Sequence, residues 1–305
     1  MTQQTMTPRA LALLVLLASI WGASFAATSV ALTELPFRSV VAIRIGGAAI
    51  VLWAYVLLAR PPLPRRARDW AVLLFLGVIG NAIPFSLITW GQTTVPSGLA
   101  SILNASTAVF GVLVAAAVFR DERLTARKLI GVALGLAGVI VAMGIGQLTA
   151  LDPTSLGQLA LVGASLCYAF TGALGRFVLR SVAPQVAATG MMTGAALVMV
   201  PWALMTDGLP PLHHSGQVWL ALVYSAVIAT AVAYLIYYRL LGLVGAGNSS
   251  FVTLLVAPIA IVLGAVLLDE TLALRAYAGF ALLAAGLTVL DGRLFHRLAQ
   301  GRGAG

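Results

Sequence analysis

The chain has 305 residues, 61% of them apolar and only 9% charged, with a mean hydropathy of +1.02. A soluble globular domain carries roughly a quarter charged residues, so this composition excludes one and points to a polytopic membrane protein. The net charge of +9 lies in short segments between apolar runs rather than in one patch, which argues against a nucleic-acid partner, and the single cysteine, Cys167, excludes a disulfide framework or a multi-cysteine metal site.

Taken in chain order, ten apolar segments are long enough to cross about 30 Å of hydrocarbon as helices of roughly 20 residues. Their limits are 11–32, 38–59, 70–90, 97–119, 127–146, 156–178, 186–206, 217–240, 247–268 and 274–292. The first follows Arg9 and is too long for a cleaved signal, so it is read as a retained span. Pro61-Pro62-Leu63-Pro64, Asp152-Pro153 and Asp207-Gly208-Leu209-Pro210-Pro211 punctuate the breaks. Alternating barrel strands are absent, so the fold class is all-α. With the N-terminus placed inside, fifteen of the 18 Lys and Arg fall in inner segments and only Arg38 and Arg275 in outer ones, Arg44 lying inside a span. That bias predicts an N-in, C-in topology.

The sequence also repeats itself. Asp121-Glu122 and Asp269-Glu270 are 148 positions apart, and at the same offset Leu124 meets Leu272, Arg127 meets Arg275, Gly131 meets Gly279 and Gly138 meets Gly286. Two halves follow, 1–148 and 149–305, the second ending in a short cytoplasmic tail. Five spans per half is an odd number, so the second half enters the membrane inverted. The charges agree: Arg120, Arg123, Arg127 and Lys128 surround the inner copy, and Leu268, Thr271, Arg275 and Ala276 stand in their places in the outer one. Inverted five-helix repeats are an architecture of secondary transporters.

Ser19-Ile20-Trp21-Gly22-Ala23-Ser24-Phe25, Arg44 within Ala42-Ile43-Arg44-Ile45-Gly46-Gly47, Leu254-Leu255-Val256-Ala257-Pro258-Ile259 with Asp269-Glu270 beyond it, and Ser165-Leu166-Cys167-Tyr168-Ala169 form a set of local signatures. Together they resemble the ten-span EamA family of the drug/metabolite transporter superfamily. Tyr168 answers Trp21 with a drift of one residue, and Phe110 stands where a counterpart of Pro258 would be. The resemblance covers the whole chain. It implies export or exchange of small metabolites, amino acids among them as in exporters of the YddG type, from a bacterial inner membrane and without a cofactor.

No catalytic motif is present: there is no His-Glu-x-x-His and no Gly-x-Ser-x-Gly, and His213 and His214 read as a solvated outer loop. Arg44 stands six residues into helix 2, about 9 Å below the surface at 1.5 Å per residue. It snorkels outward, pairs with a carbonyl of a neighbouring helix, or meets a substrate carboxylate in a cavity. Amides face lipid only at a cost, so Asn81 and Asn104 turn toward protein or water. The polar spans are helix 3 (Asn81, Ser86, Thr89, Trp90, Gln92), helix 4 (Ser101, Asn104, Ser106, Thr107), helix 8 (Tyr224, Thr230, Tyr234, Tyr237, Tyr238) and helix 9 (Asn248, Ser249, Ser250, Thr253). The candidate substrate site is therefore Trp21, Arg44, Asn81, Trp90, Ser101, Asn104, Tyr168, Tyr234, Ser249 and Thr253, with interhelical hydrogen bonding the plainer role for the amides and hydroxyls. For Trp90, Tyr237 and Tyr238 the interfacial aromatic belt is the plainer role.

Pro84 and Pro258 are candidate hinges, each freeing the carbonyl four residues back. Gly131, Gly135 and Gly138 in helix 5, with Ala278, Ala281, Ala285 and Gly286 in helix 10, form small faces suited to close packing or a homodimer contact. These readings predict a transporter working by alternating access between the repeats. The alternatives are a nucleotide-sugar or drug-type exchanger, which would want several deep cations for phosphates, and a non-transporting scaffold, which would not need four polar spans.

Overall fold

The computed structural model describes residues 7–119, 124–152, 155–178, 181–210, 213–259 and 274–291, and every regular element among them is helical. Apolar runs close their backbone hydrogen bonds within one segment only as helices, the one open form that a bilayer tolerates. α1 spans Pro8–Ala31; its first free N–H groups are met by the Thr7 hydroxyl, which accepts from Ala10 N–H at 3.2 Å. α2 spans Phe37–Ala59 and ends on Arg60, whose φ of 47° precedes Pro61-Pro62. α3 spans Ala67–Gly91, and α4 comprises Ser97–Ala105 and Thr107–Val118. α5 spans Ala126–Met143, α6 Leu156–Val178 and α7 Pro184–Asp207. α8 spans Gly216–Gly245, capped by Ser215 and broken where Gly245 takes φ 81° and ψ 173°, a backbone that side chains with a Cβ rarely adopt. α9 is described over 252–259 and α10 over Leu274–Asp291. Seven of these, α1–α4 and α6–α8, are long and apolar enough to cross a membrane.

Two helix ends differ notably from the expected ones, and one lies outside the described residues. α5 stops at Met143 and passes into a 3-10 turn, Ile145–Ala150, because Gly144 leaves the helical region at φ 101°. α8 runs on to Gly245 instead of stopping near 240, Gly242 staying helical within it. The end of helix 9 and both Asp-Glu pairs, Asp121-Glu122 and Asp269-Glu270, lie outside the described residues.

The packing carries the duplication into three dimensions. α2 lies along α7 and α5 along α10, each helix beside its own counterpart, while α3 packs on α6 and α7 as α8 packs on α1 and α2. The α5–α10 seam is made of glycine. A Cβ on Gly138 would stand 2.7 Å from the Gly279 carbonyl oxygen, and one on Gly286 would stand 2.7 Å from that of Gly131. Exchanging each residue for its partner at offset 148 turns the first contact into the second, so the seam maps onto itself with the helices antiparallel. Of the two uses expected for the glycine faces, close packing and a homodimer contact, the structure shows close packing within the chain. Ala278, Ala281, Ala285, Leu129, Ile130 and Tyr277 face outward instead.

The two halves share one irregularity. α3 contains a π turn at Val78–Ala82 and α8 a longer one at Tyr224–Val232, and at offset 148 the first falls inside the second, on Ala226–Thr230. One apolar core, with Leu52, Leu73 and Met191, joins α2, α3 and α7; another, with Leu14, Leu17 and Leu254, joins α1 and α9. Trp21 and Tyr237 pack on both, and the cavity opens there.

Candidate functional site

The geometry starts with the π turn of α8. Widening the turn makes Ala233 N–H bond to the Ile228 carbonyl and pass over that of Ala229. The Ala229 oxygen accepts instead from the Trp21 indole N–H at 3.1 Å. One residue on, the Thr230 hydroxyl donates to the Ser225 carbonyl, five residues back, at 2.8 Å. Its proton so committed, the Thr230 oxygen accepts from Arg44 Nε–H at 2.8 Å. One backbone irregularity therefore holds both the cation and the indole.

Arg44 is only 7% exposed, so it does not snorkel to a surface. Its guanidinium carbon stands 4.2 Å above the centroid of the Phe85 ring, a cation–π contact in a setting with little water. The bond to Thr230 is the only hydrogen bond of Arg44 among the described residues, and its two Nη groups keep their donors for the cavity that Arg44 lines. That cavity has a volume of about 90 Å³. Phe85 also packs edge-on to Tyr168 and Tyr234, at 6.4 and 6.2 Å between centroids, and Trp21 stands 5.7 Å from Tyr237. On α4, Asn104 and Thr107 line the same space, and their Oδ1 and Oγ1 atoms are buried without a hydrogen-bond partner. The arrangement offers a forked cation, an aromatic wall and neutral hydrogen-bonding groups. It can hold a carboxylate, but it has no nucleophile–base pair, and no His, Cys, Asp and Glu cluster among the described residues could hold a metal.

Of the residues expected at the site, Trp21, Arg44, Asn104, Tyr168, Tyr234 and Thr253 line the cavity together. Asn81 does not; it is fully buried in the α3 π turn beside the lining residue Gly80, and neither of its amide atoms has a partner. Ser101 and Ser249 are buried outside the lining. Trp90, near the end of α3, is 37% exposed and lies away from the cavity, where an interfacial aromatic would sit. Pro84 is buried just past the α3 π turn and Pro258 is buried in α9.

The belt reading fails for Tyr237 and Tyr238. Both line the cavity, because α8 continues past them to Gly245 and carries them away from its end. Ser24, Thr28, Phe85 and Thr171 also line it and were not expected. A signal existed for two of them: Trp21, Ser24 and Thr28 recur at spacings of three and four, one helix face. Phe85 carries no such mark, since a phenylalanine in an apolar run reads as core.

Polar ties join the halves at one end of the bundle. Arg38 Nε–H donates to Asp207 Oδ1 at 2.8 Å and the Ser39 hydroxyl to Oδ2 at 2.9 Å. Beside them Glu34 accepts from Ser215 N–H at 3.1 Å and meets His214 Nδ1 at 3.0 Å. Hydrogen bonding from Ser215, side chain first and then backbone, with a smaller pull from His214, holds the Glu34 carboxyl below its ordinary range despite some desolvation.

Comparison with known proteins gives the fold and cavity a context. The EamA-like transporter family matches residues 8–144 and 155–290. A "Probable amino-acid metabolite efflux pump" of Salmonella typhimurium is 30% identical over 298 residues, covering 92% of this chain and 93% of that protein. A "Probable terminal-alkyne amino-acid exporter" of Streptantibioticus cattleyicolor is 27% identical over 286 residues, covering 93% and 94%. A solved crystal structure superposes with a TM-score of 0.77 at 19% identity, over 94% of this chain and 98% of the other.

Proposed function

The chain belongs to the EamA-like transporter family and is a multi-pass membrane transporter, and from that premise we propose that it exports amino acids or closely related small carboxylates by alternating access at the central cavity. The observation that carries this reading is Arg44: a buried guanidinium whose only polar partner among the described residues is one hydroxyl, with two donor groups left on the cavity side. A cation kept so deep in a membrane protein is costly unless a ligand uses it, and the fork of an arginine suits a carboxylate. The names of the relatives from Salmonella typhimurium and Streptantibioticus cattleyicolor agree in substrate class.

The topology we propose is ten spans in two inverted halves, 1–148 and 149–305, N-in and C-in, in a bacterial inner membrane. The Lys and Arg asymmetry supports it, as does the self-mapping antiparallel seam between α5 and α10. Pro84 and Pro258 serve as hinges in this scheme, and any homodimer uses the outward faces of α5 and α10. A nucleotide-sugar exchanger is the weaker reading, because one cation among the described residues lines the cavity where several phosphate charges would need partners. Purified protein in liposomes, loaded with each member of an amino-acid panel, tests the proposal. Efflux of at least one member, strongly reduced in Arg44→Ala and reduced in Asn104→Ala, is expected. No flux across the panel, or flux indifferent to both substitutions, would sink it.

A further inference from the structure

We propose that the cavity takes net-monoanionic carboxylates carrying a neutral α-hydroxyl or α-amide donor in preference to zwitterionic amino acids, an inference that rests on the reading of the cavity given above. It begins with a charge inventory. Among the described residues, Arg44 is the only charged side chain lining the cavity. The described acids stand elsewhere: Glu34 in the α1–α2 turn, Asp69 in the first turn of α3, Asp152 between α5 and α6, Asp207 at the end of α7 bound to Arg38, and Asp291 closing α10. A single negative charge therefore neutralises the site. A zwitterion leaves it at +1 and adds an ammonium that must be stripped of water with no described carboxylate to receive it.

The remaining polar groups fit a neutral donor. Asn104 Oδ1 is a buried acceptor without a partner, and Thr107 Oγ1 beside it is likewise unpaired. A hydroxyl or amide N–H satisfies an amide oxygen as well as an ammonium does, without the desolvation of a full charge. Nor do the rings offer an ammonium a ready cage. One face of Phe85 already carries the Arg44 guanidinium, and Trp21, Tyr234, Tyr237 and Tyr238 are turned on one another at 5.4 to 6.3 Å between centroids. A second cation in so small a space would also stand close to Arg44. A ligand with no donor at all would leave Asn104 unpaired, so the α-substituent matters even though its charge does not.

The test uses the full-length protein and five probes sharing one aromatic side chain: L-phenylalanine, L-phenyllactate, N-acetyl-L-phenylalanine, 3-phenylpropionate and phenethylamine. Equilibrium binding to purified protein and counterflow in liposomes are measured for each. Phenyllactate matches phenylalanine in size, so it is the deciding comparison. We expect phenyllactate to bind on the order of tenfold more tightly than phenylalanine, since only the latter brings an unpaired buried cation. N-acetyl-phenylalanine should also exceed phenylalanine, phenylpropionate should fall below phenyllactate, and phenethylamine should not bind. Arg44→Gln should abolish the carboxylate series, and Asn104→Leu should erase the gap between phenyllactate and phenylpropionate. Phenylalanine binding more tightly than phenyllactate overturns the inference while leaving the exporter reading intact. No binding or flux of any carboxylate, together with failure of the wider amino-acid panel, removes both.

Discussion

The π turns of α3 and α8 occupy equivalent places in the two halves, yet they carry different chemistry. The turn in α8 is fully employed: Ala229 receives the Trp21 indole, and Thr230, oriented by Ser225, receives Arg44. In α3 the equivalents of Ala229 and Thr230 are Asn81 and Ala82, and the equivalent of Arg44 in the second half is Met192. Both members of the Arg44–Thr230 pair thus have apolar counterparts, Met192 and Ala82, and Asn81 is left with two unmet amide groups. The α2–α7 pair shows the same split along its length. One end bears the Arg38–Asp207 clasp, and the equivalents at the other end are Val186 and Ala59. Duplication fixed the backbone, including its irregularities, and the polar groups then diverged. A one-sided cavity therefore lies inside a nearly two-sided scaffold.

The largest expected effect comes from removing the group that makes the halves unequal. Arg44→Gln should lower transport about 100-fold, the scale for truncating one partner of a buried charged contact. Arg44→Lys should not restore it, because a point charge neither stacks on Phe85 nor forks. The matching substitution in the other half, Met192→Leu, should cost under about 1.5 kcal/mol of stability and leave transport near wild type. Equal losses at both positions would erase the distinction between the halves. Next in size is Thr230→Val, which keeps the shape but orphans Arg44 Nε–H. A loss of about tenfold in apparent affinity is expected, with recovery in Thr230→Ser. If Val and Ser behave alike, the hydroxyl does not position the arginine.

Much of this was legible in the sequence, and what was not has a physical cause. The offset of 148 marks Gly131 and Gly279, and Gly138 and Gly286, as repeat partners on small faces suited to close packing, and in the structure these faces meet each other in the α5–α10 seam. Arg44, Trp21, Asn104, Tyr168, Tyr234 and Thr253 were identifiable because polar or amphipathic groups in a span need a partner. The π turns were not. No residue type marks them, and Pro84 follows only the one in α3. Without the turns, neither the idle carbonyl at Ala229 nor the role of Thr230 could be placed. Tyr237 and Tyr238 were misread for a simpler reason: a helix end misjudged by a few residues exchanges an interface for a cavity wall.

Asn81→Ala gives the α3 turn the residue that α8 carries at Ala229, and so tests whether the unmet amide matters. A buried amide without partners costs about 1–3 kcal/mol, partly offset by the small void left on truncation. The thermal midpoint of the purified protein should hold steady or rise by a few degrees, with transport retained. A fall of more than a few degrees would mean that Asn81 is a structural anchor, and that the first-half turn is as fully employed as the second.

The smallest expected effect tests the asymmetry at the helix ends. Glu34 accepts from Ser215 across the two halves, and its equivalent at offset 148 is Val182, which cannot titrate. Because hydrogen bonds from Ser215 hold the Glu34 carboxyl below its ordinary range, folding favours the ionised form. The contribution is then fully present above the unfolded value, by about pH 5, and is lost as pH falls through the lower folded value. The difference in thermal midpoint between wild type and Glu34→Gln should accordingly be positive at neutral pH and shrink toward zero in acid. The carboxyl is exposed and the tie is a surface one, so the gap should be small and should narrow further in high salt. A gap that persists unchanged at acid pH would place the Glu34 contribution in neutral contacts rather than in its charge.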